Sequence, residues 1–556
     1  MKRFLSLLLV LVMALSVLCV YAETEREVVT ITMLSLPANV SGTMEDTWWT
    51  DYLLDELGII VELVPGSSDD GKLTALMAAD ELPDMVIFHS ATQLVNCINA
   101  EMLVALDDYI EQMPNAEKYF SKCMAYFADN YSTDGKCYAI SNDVGARTKN
   151  GLINWAPNIR WDLYEELGMP EINTVWDYLD VLKDMQELYP VNDEGQKVYA
   201  LTAWNDWDNI RMHNACQVSM LMGVDTGDQY SSMLPFAEVD LETNELIGSY
   251  FDEGSYYVEG LRWYYTANQM GILDPDSMTQ TWNSALEKST AGRVLFGWWS
   301  WQVSGFNTVE RVNADDPVGF AAVTPTESKV PVQCESFVGS GWSWAISKKA
   351  SNIDRCIEYL DFMCNPDKVF VLCNGPQGET WDIDENGQVY LTEKGLQCKL
   401  DGTLVLDQGG KLGDGTSVIN STPVSTGTIS EKYGAALSSD DWDSYIPEMT
   451  NLEKEVYDLT GYKTTADRIL DNPNHTVVQI GSLFIPTLPD EMQMLANQIG
   501  DVVKTQSWLA IYAADDAEFE ACIQAMRDAA YDMGFEQLME YNISAWNTAL
   551  ETYSKY

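Results

Sequence analysis

The stretch NGPQGETWDIDENGQVYLTEKG, residues 374–395, carries Asp382, Asp384, Asn386, Gly387 and Glu393 at the spacing D-x-D-x-N-G-x-x-x-x-x-E of a calcium loop. Such a loop holds a hard cation through carboxylate and backbone oxygens, and it needs a helix on each side. Here GPQG precedes the loop and the alternating QVYLT follows it. Asn386-Gly387 is a hairpin signal. The stretch therefore reads as a solvated turn, with Asp382, Asp384, Asn386 and Glu393 kept as the alternative calcium ligands. No other cofactor is expected.

Reacting groups are scarce. The chain has only three histidines, His89, His213 and His475, and no HExxH, no GxSxG elbow and no phosphate loop. The GSG at 339–341 runs into Trp342 instead of a nucleophile. A glycoside hydrolase needs two carboxylates flanking one bond. With 85 acidic residues, the sequence singles out no such pair. The expectation is a binder and not an enzyme; a secreted glycoside hydrolase remains the alternative.

The aromatic segments INWAPN, TAWNDWDN, FGWWSWQ and GSGWSW carry a different chemistry. Indole faces pack on the C–H faces of sugars, while Asn, Asp, Gln and Glu exchange hydrogen bonds with hydroxyls. Trp155, Trp204, Trp207, Trp298, Trp301 and Trp342 are the candidates, with Trp299 beside them. Any single tryptophan is more often packing than platform. Trp161 and Trp176 lie on helical patterns and read as packing. Trp48 and Trp49 adjoin on one helix, so at most one can face a ligand. Alanine at Trp204 or Trp298 is expected to abolish ligand response and leave the fold intact.

These residues need elements to hold them. VVTITMLSL (28–36), IIVELVP (59–65) and MVIF (85–88) read as strands. Helical patterns at 44–58 and 69–84 separate them, which predicts parallel pairing. PVGFAAVTP and GWSWAISK return to short strands, NIDRCIEYLDFMCNPDKVFVL is an amphipathic helix, and the chain beyond about 430 is mostly helical apart from a strand-like 476–485. The order predicts an α/β fold of two discontinuous lobes with a hinge and an interlobe cleft: 23–148 with 318–375, and 149–317 with 376–556. Ligands of open α/β sheets sit beyond the carboxyl ends of the strands. That nominates Pro37, Asn39, His89, Ser90, Asn142 and Asp143, with Glu379 beside the hairpin.

A balance of 32 basic to 85 acidic residues, net −53, excludes a basic stripe for nucleic acid and docking on anionic lipid. Residues 1–22 read as an export signal: Lys2 and Arg3, an apolar stretch, then Val20 and Ala22 before a cleavage site. An extracellular chain is expected. Lipid attachment at Cys19, which would retain it at the cell surface, is disfavoured because Leu18 occupies the small-residue position. The other ten cysteines show no CxxC pair, and buried thiols are expected to outnumber bridges.

Several segments resemble the bacterial extracellular solute-binding proteins of carbohydrate ABC transporters (family 1). LTALMAADELPDMVIF is similar to their helix, GDLPDI step and strand. DGKCYAIS, NIRWDLYEELGMPEINTVWDYLDVLKDM, GWSWAISKKASNIDRCIEYLDFMCNPD, the 374–395 stretch and YDMGFEQLMEYNISAWN follow in the family's order. Gln377 stands where glutamate is usual. YPVNDEGQKVYAL (189–201) matches the calcium loop of long members but keeps only Asn192 and Gly195. The resemblance spans nearly the whole mature chain and is strongest to the long oligosaccharide-binding branch. It implies a periplasmic-binding-protein-like fold, an oligosaccharide ligand, an ABC permease as partner, a monomer and Gram-positive-type surface display. A peptide or another non-sugar solute remains an alternative ligand.

Overall fold

The computed structural model describes residues 26–556, apart from 39–41, 44, 67–69, 154, 229–232, 420–421, 443, 445–448, 479–482 and 487. The expectations for the export signal, Cys19 and Asn39 lie outside the described residues.

The strand Val29–Ser35 buries Ile31, Met33 and Leu34 completely. It pairs in parallel with Ile59–Val64 on one side and Met85–Phe88 on the other. The intervening helix Trp48–Leu57 starts where Thr47 accepts from the Thr50 amide and stops at Gly58, whose φ of 64° suits glycine and strains other residues. Ser343–Ile346 returns antiparallel to Met85–Phe88, separated from it by about 250 residues of chain. The six-stranded sheet has the order Gly42–Thr43, Ile59–Val64, Val29–Ser35, Met85–Phe88, Ser343–Ile346, Ile140–Ser141. The expected parallel strand–helix–strand–helix–strand start is present, within a sheet of mixed direction.

Asp84, the acid of the LPD step, ties this sheet together. Its Oδ2 accepts from the amide and the hydroxyl of Thr32, each at 2.7 Å, and its Oδ1 accepts from the Ser351 amide. Burial pushes this carboxyl up, but the bonds from Thr32 and Ser351 outweigh it and hold it below the usual carboxylate range. Asp84→Ala strips two amides of their partner and is expected to cost about 2–4 kcal/mol at neutral pH. The folded pKa is depressed, so this contribution is present above about pH 4 and fades as pH falls through the folded value. Urea unfolding of wild type and variant at pH 7 and at pH 3 checks it; an equal gap at both would sink the assignment.

The chain divides into two compact units. The first comprises the residues up to Ile140, Trp342–Val424 and Glu431–Tyr433; the second comprises Ser141–Gly341, Ser425–Ser430 and Gly434–Tyr556. The predicted boundaries differ in four places, one of them the short stretch Glu431–Tyr433, which goes with the first unit. Residues 318–341 go with the second unit, because Phe320–Ala322 pairs antiparallel with Asn158–Arg160. Residues 376–424 go with the first, because Trp381 packs on Phe370 and Tyr433 at 5.0 and 5.1 Å. Residues 141–148 also move to the second unit.

The calcium-like stretch is a β-hairpin, with Trp381–Ile383 pairing antiparallel to Val389–Leu391. Asp384 Oδ1 accepts from the Asn386 and Gln388 amides at 2.9 and 2.8 Å, and Asp382 Oδ1 accepts from Gln377 Nε2 and its neighbour's amide. Glu393 opens the helix Glu393–Leu400. A strand and not a helix precedes the loop, and its carboxylates close the turn. Among the described residues no group of three or more His, Cys, Asp or Glu side chains is placed to hold a metal.

The second unit is built around one large core that joins three small sheets to a helical layer. Helices His213–Met220 and Tyr256–Gln269 cross so closely that a Cβ at Gly260 would lie 2.3 Å from the Ala215 carbonyl oxygen. The helix Asp490–Ile511 packs on Tyr256–Gln269, followed by Asp516–Met533 and Phe535–Tyr553. Among the described residues of the strand-like 476–485, Thr476–Val477 forms a strand, parallel to Pro331–Val332.

Candidate ligand-binding site

In the second unit three short extended segments run side by side in the same direction. Tyr199 bridges Val294 in parallel, and Leu201 bridges Leu273 in parallel. Beyond their carboxyl ends come the loop with Trp204 and Trp207, the turn leading to Trp282, and the run Trp298–Trp301. This is where an open sheet of this kind presents its ligand-facing side chains.

Five indoles and one imidazole converge there. Trp204 sits at the base, fully buried, with ring centroids 5.3 Å from Trp207, 4.8 Å from Trp282 and 6.5 Å from Trp299. Trp299 and Trp301 stack at 4.8 Å with planes 15° apart, and Trp301 lies 6.2 Å from Trp207 and 5.3 Å from Trp282. The His213 ring stands edge-on to Trp207 at 5.5 Å and is stacked on Trp299 at 6.3 Å. Trp207 and Trp301 are 37% and 48% exposed, so the cluster shows an apolar face to solvent instead of closing on itself.

Hydrogen bonds fix the loops that carry these rings. Gln280 Nε2 donates to the Ala203 carbonyl and to Thr202 Oγ1, both at 2.6 Å. The Asn205 amide donates to the Gln280 carbonyl, and the Trp282 amide donates to Asp206 Oδ1 at 2.7 Å. Asp274 accepts from Thr202 Oγ1 and is paired with Lys288 at 2.6 Å. The platform is thus held by a buried polar strap, and its open side carries the rings.

Asp208 accepts from the His213 amide at 2.8 Å and from Trp508 Nε1 at 2.7 Å. Burial pushes its carboxyl up to about 7 against these bonds. Burial and then the charge of Asp225 raise Asp228 to about 6. Burial, with Arg211, brings His213 down to about 4. For the two raised acids, the folded state binds protons that the unfolded state releases, so stability rises as pH falls from 8. His213 acts in the opposite sense only below about pH 6.5, where the unfolded imidazole takes up its proton first. The melting temperature is therefore expected to climb by a few degrees between pH 8 and pH 6.5. Asp208→Asn is expected to flatten much of that slope, and melts of both proteins at three pH values check it.

The structure distributes the sequence candidates unevenly. Trp204, Trp207 and Trp301 come together. Trp298 does not join them: it follows Phe296 by two residues and shares its side, so its ring enters the core and Nε1 donates to Tyr264 Oη at 3.0 Å. Trp155 is likewise a core residue, donating through Nε1 to Gln217 Oε1 at 2.7 Å. Asn142 is fully buried, and its carbonyl accepts from the Ser340 amide; Asp143 adopts φ 55° beside it. In the first unit, His89 lies 5.5 Å from Trp342, and Ser90 caps the helix Ala91–Asn99. Glu379 is taken up by the hairpin: its carboxylate accepts from the Asp407 amide and its carbonyl from Thr392. Sequence reasoning missed Trp282 and His213 as site residues. Both stand at helix starts beside a tryptophan-bearing loop, but no spacing in the sequence links them to it.

These features define a protein of the periplasmic-binding-protein fold, mixed α/β in two units with an aromatic surface in the second. The same fold is found in the substrate-binding proteins of sugar ABC transporters. The Streptococcus pneumoniae ABC-transporter substrate-binding protein FusA, solved in complex with kestose, superposes with a TM-score of 0.61 at 14% identity, over 94% of this chain and 99% of that one. The alginate-binding protein AlgQ2 gives 0.61 at 14% identity over 94% and 98%. An HMO-binding, ABC-transporter-associated solute-binding protein from Bifidobacterium longum infantis gives 0.57 at 15% identity over 94% and 99%. No protein-family model matches the sequence, and no curated protein matches it.

Proposed function

We propose that this chain is the extracellular substrate-binding component of an ABC importer and that it binds an oligosaccharide without transforming it. The exposed indole face of Trp207 and Trp301, backed by Trp204, Trp282 and Trp299, carries the reading. A flat apolar surface with polar groups at its rim suits the alternating C–H faces and hydroxyls of a glycan. Structural similarity to substrate-binding proteins crystallised with sugars supports it. Export through residues 1–22, delivery to a membrane permease and a monomeric state belong to the same proposal. No described helix is long and apolar enough to cross a membrane.

The charges favour a neutral glycan over a uronate. Asp206 and Asp208 border the indoles. Arg211, the cation nearest in sequence, is buried and donates to the Gly227 carbonyl. Arg160 is paired through two bonds with Asp162, and Arg293 donates to the Lys197 carbonyl. The guanidiniums of Arg160 and Arg211 are buried, so an anionic sugar would meet the carboxylates of Asp206 and Asp208 first.

Thermal melts of residues 23–556 against neutral and uronate oligosaccharides, with product analysis, test the reading. Ligand at a hundredfold over its dissociation constant stabilises by about 2.7 kcal/mol. A shift with one neutral glycan class and no cleavage is the expected result. Release of new reducing ends would replace the binder with a glycoside hydrolase. Shifts with peptides alone would replace the sugar.

A further inference from the structure

His213 lies in the wall of the aromatic platform, and the hydrogen bonds around it determine where its proton sits. An indole N–H can only donate. Trp155 Nε1 lies 2.7 Å from one end of the Gln217 amide, so that end is the carbonyl oxygen. The other end is therefore the NH₂ group, and it lies 3.3 Å from His213 Nε2. An amide NH₂ has no lone pair to offer, so His213 Nε2 must be the acceptor, and the ring proton must be on Nδ1. The second N–H of Gln217 is spent on Asp228. Gln217 is fully buried on helix His213–Met220, one turn after His213, which keeps this arrangement in register.

We infer that His213 is a ligand-contacting residue of the proposed glycan site, a neutral imidazole locked as the Nδ1–H tautomer that donates to a sugar oxygen. Among the described residues nothing accepts from Nδ1, and the half-buried ring lies between Trp207 and Trp299. The groups that face the ring are consistent with neutrality. Gln217 would oppose a proton on Nε2, Arg211 repels a second positive charge, Asp228 is engaged through Gln217, and Asp208 spends an oxygen on the backbone amide of His213 and not on its ring. The chemistry selected is an uncharged acceptor, a hydroxyl or ring oxygen, of a sugar resting on the exposed face of Trp207 and Trp301. The ligand half of this inference rests on the sugar-binding reading; the tautomer half does not.

The test has two arms. Nitrogen-15 spectra of histidine-labelled protein at pH 7, with His213→Asn used to assign the resonance, are expected to show His213 protonated at Nδ1 and bare at Nε2. Gln217→Glu replaces the donor with an acceptor and is expected to move the proton to Nε2 or charge the ring. A wild-type His213 that is protonated at Nε2 overturns the inference and leaves the sugar reading standing. In the second arm, the neutral glycan that shifts the wild-type melt is titrated against His213→Phe, which keeps the stacked ring but lacks the donor, and His213→Asn, which keeps a donor at the Nδ1 position. A roughly three- to tenfold loss for Phe, with most affinity retained by Asn, is expected for one neutral hydrogen bond. Equal affinity of the Phe variant and the wild type overturns the contact. No response of the wild type to any glycan, with the Nδ1–H tautomer present, overturns the contact together with the sugar reading.

Discussion

The double variant Trp207→Ala/Trp301→Ala is expected to bind its glycan about a hundredfold more weakly while melting within about two degrees of wild type. Both indoles leave much of their surface to solvent, so truncating them removes little that folding had buried. On the ligand side they are the accessible part of the platform, and large aromatic side chains of this kind carry interface energies of about 1–2 kcal/mol or more apiece. Two such losses at adjoining positions compound to about two decades in affinity. Phenylalanine at both positions separates the causes, because it keeps a stacking face and discards the indole N–H. Titration calorimetry of the three proteins with one neutral glycan decides the matter. Unchanged affinity in the alanine variant would remove the platform from the site, and a collapsed melt would show that the rings are structural.

Trp204→Ala is expected to fail in the opposite way, losing about 3–5 kcal/mol of stability. Its ring has no exposed surface and stands against Trp207, Trp282 and Trp299. Removing it leaves a cavity under the platform that the strapped loops cannot collapse to fill. Trp298→Ala belongs with it, since that indole packs 5.6 Å from Trp263 and donates to Tyr264. The sequence alone suggested that alanine at either position would silence ligand response and leave the fold intact. The packing reverses that expectation: any lost binding would come with lost structure. Urea unfolding followed by tryptophan fluorescence reports it, and a Trp204→Ala protein within about 1 kcal/mol of wild type would show that the ring is not a keystone.

Much of the first unit could be read before any coordinates. Runs of β-branched residues, the helical pattern at 44–58 and the LPD step announce their own local structure because each signal acts over a few residues. The hairpin at 381–391 was legible for the same reason: Asn386-Gly387 outweighs a metal-ligand spacing whose entering element is a strand and not a helix. The site was less legible. In FGWWSWQ the three indoles look alike, and only the end of the strand Phe296–Gly297 sends Trp298 into the core, Trp299 under the platform and Trp301 out to solvent. Trp282 and His213 join the platform through bridges that bring residues 199–201, 272–273 and 294–297 side by side. The unit boundaries were missed where pairing is long-range, as with Phe320–Ala322 on Asn158–Arg160.

Pairing of Ser343–Ile346 with Met85–Phe88 also bears on how the chain is made. The central sheet cannot be finished when its first strands emerge, because the partner of Met85–Phe88 is synthesised some 250 residues later. Until then that strand edge has open backbone donors and acceptors, and the loop-closure entropy of the missing segment stands against completion. A newborn chain therefore remains unfinished through most of its translation and relies on something else to shield that edge. If it crosses a membrane as an unfolded thread, this delay keeps it threadable, and a circular permutant that places residues 342–424 ahead of Val29 would fold early and travel poorly.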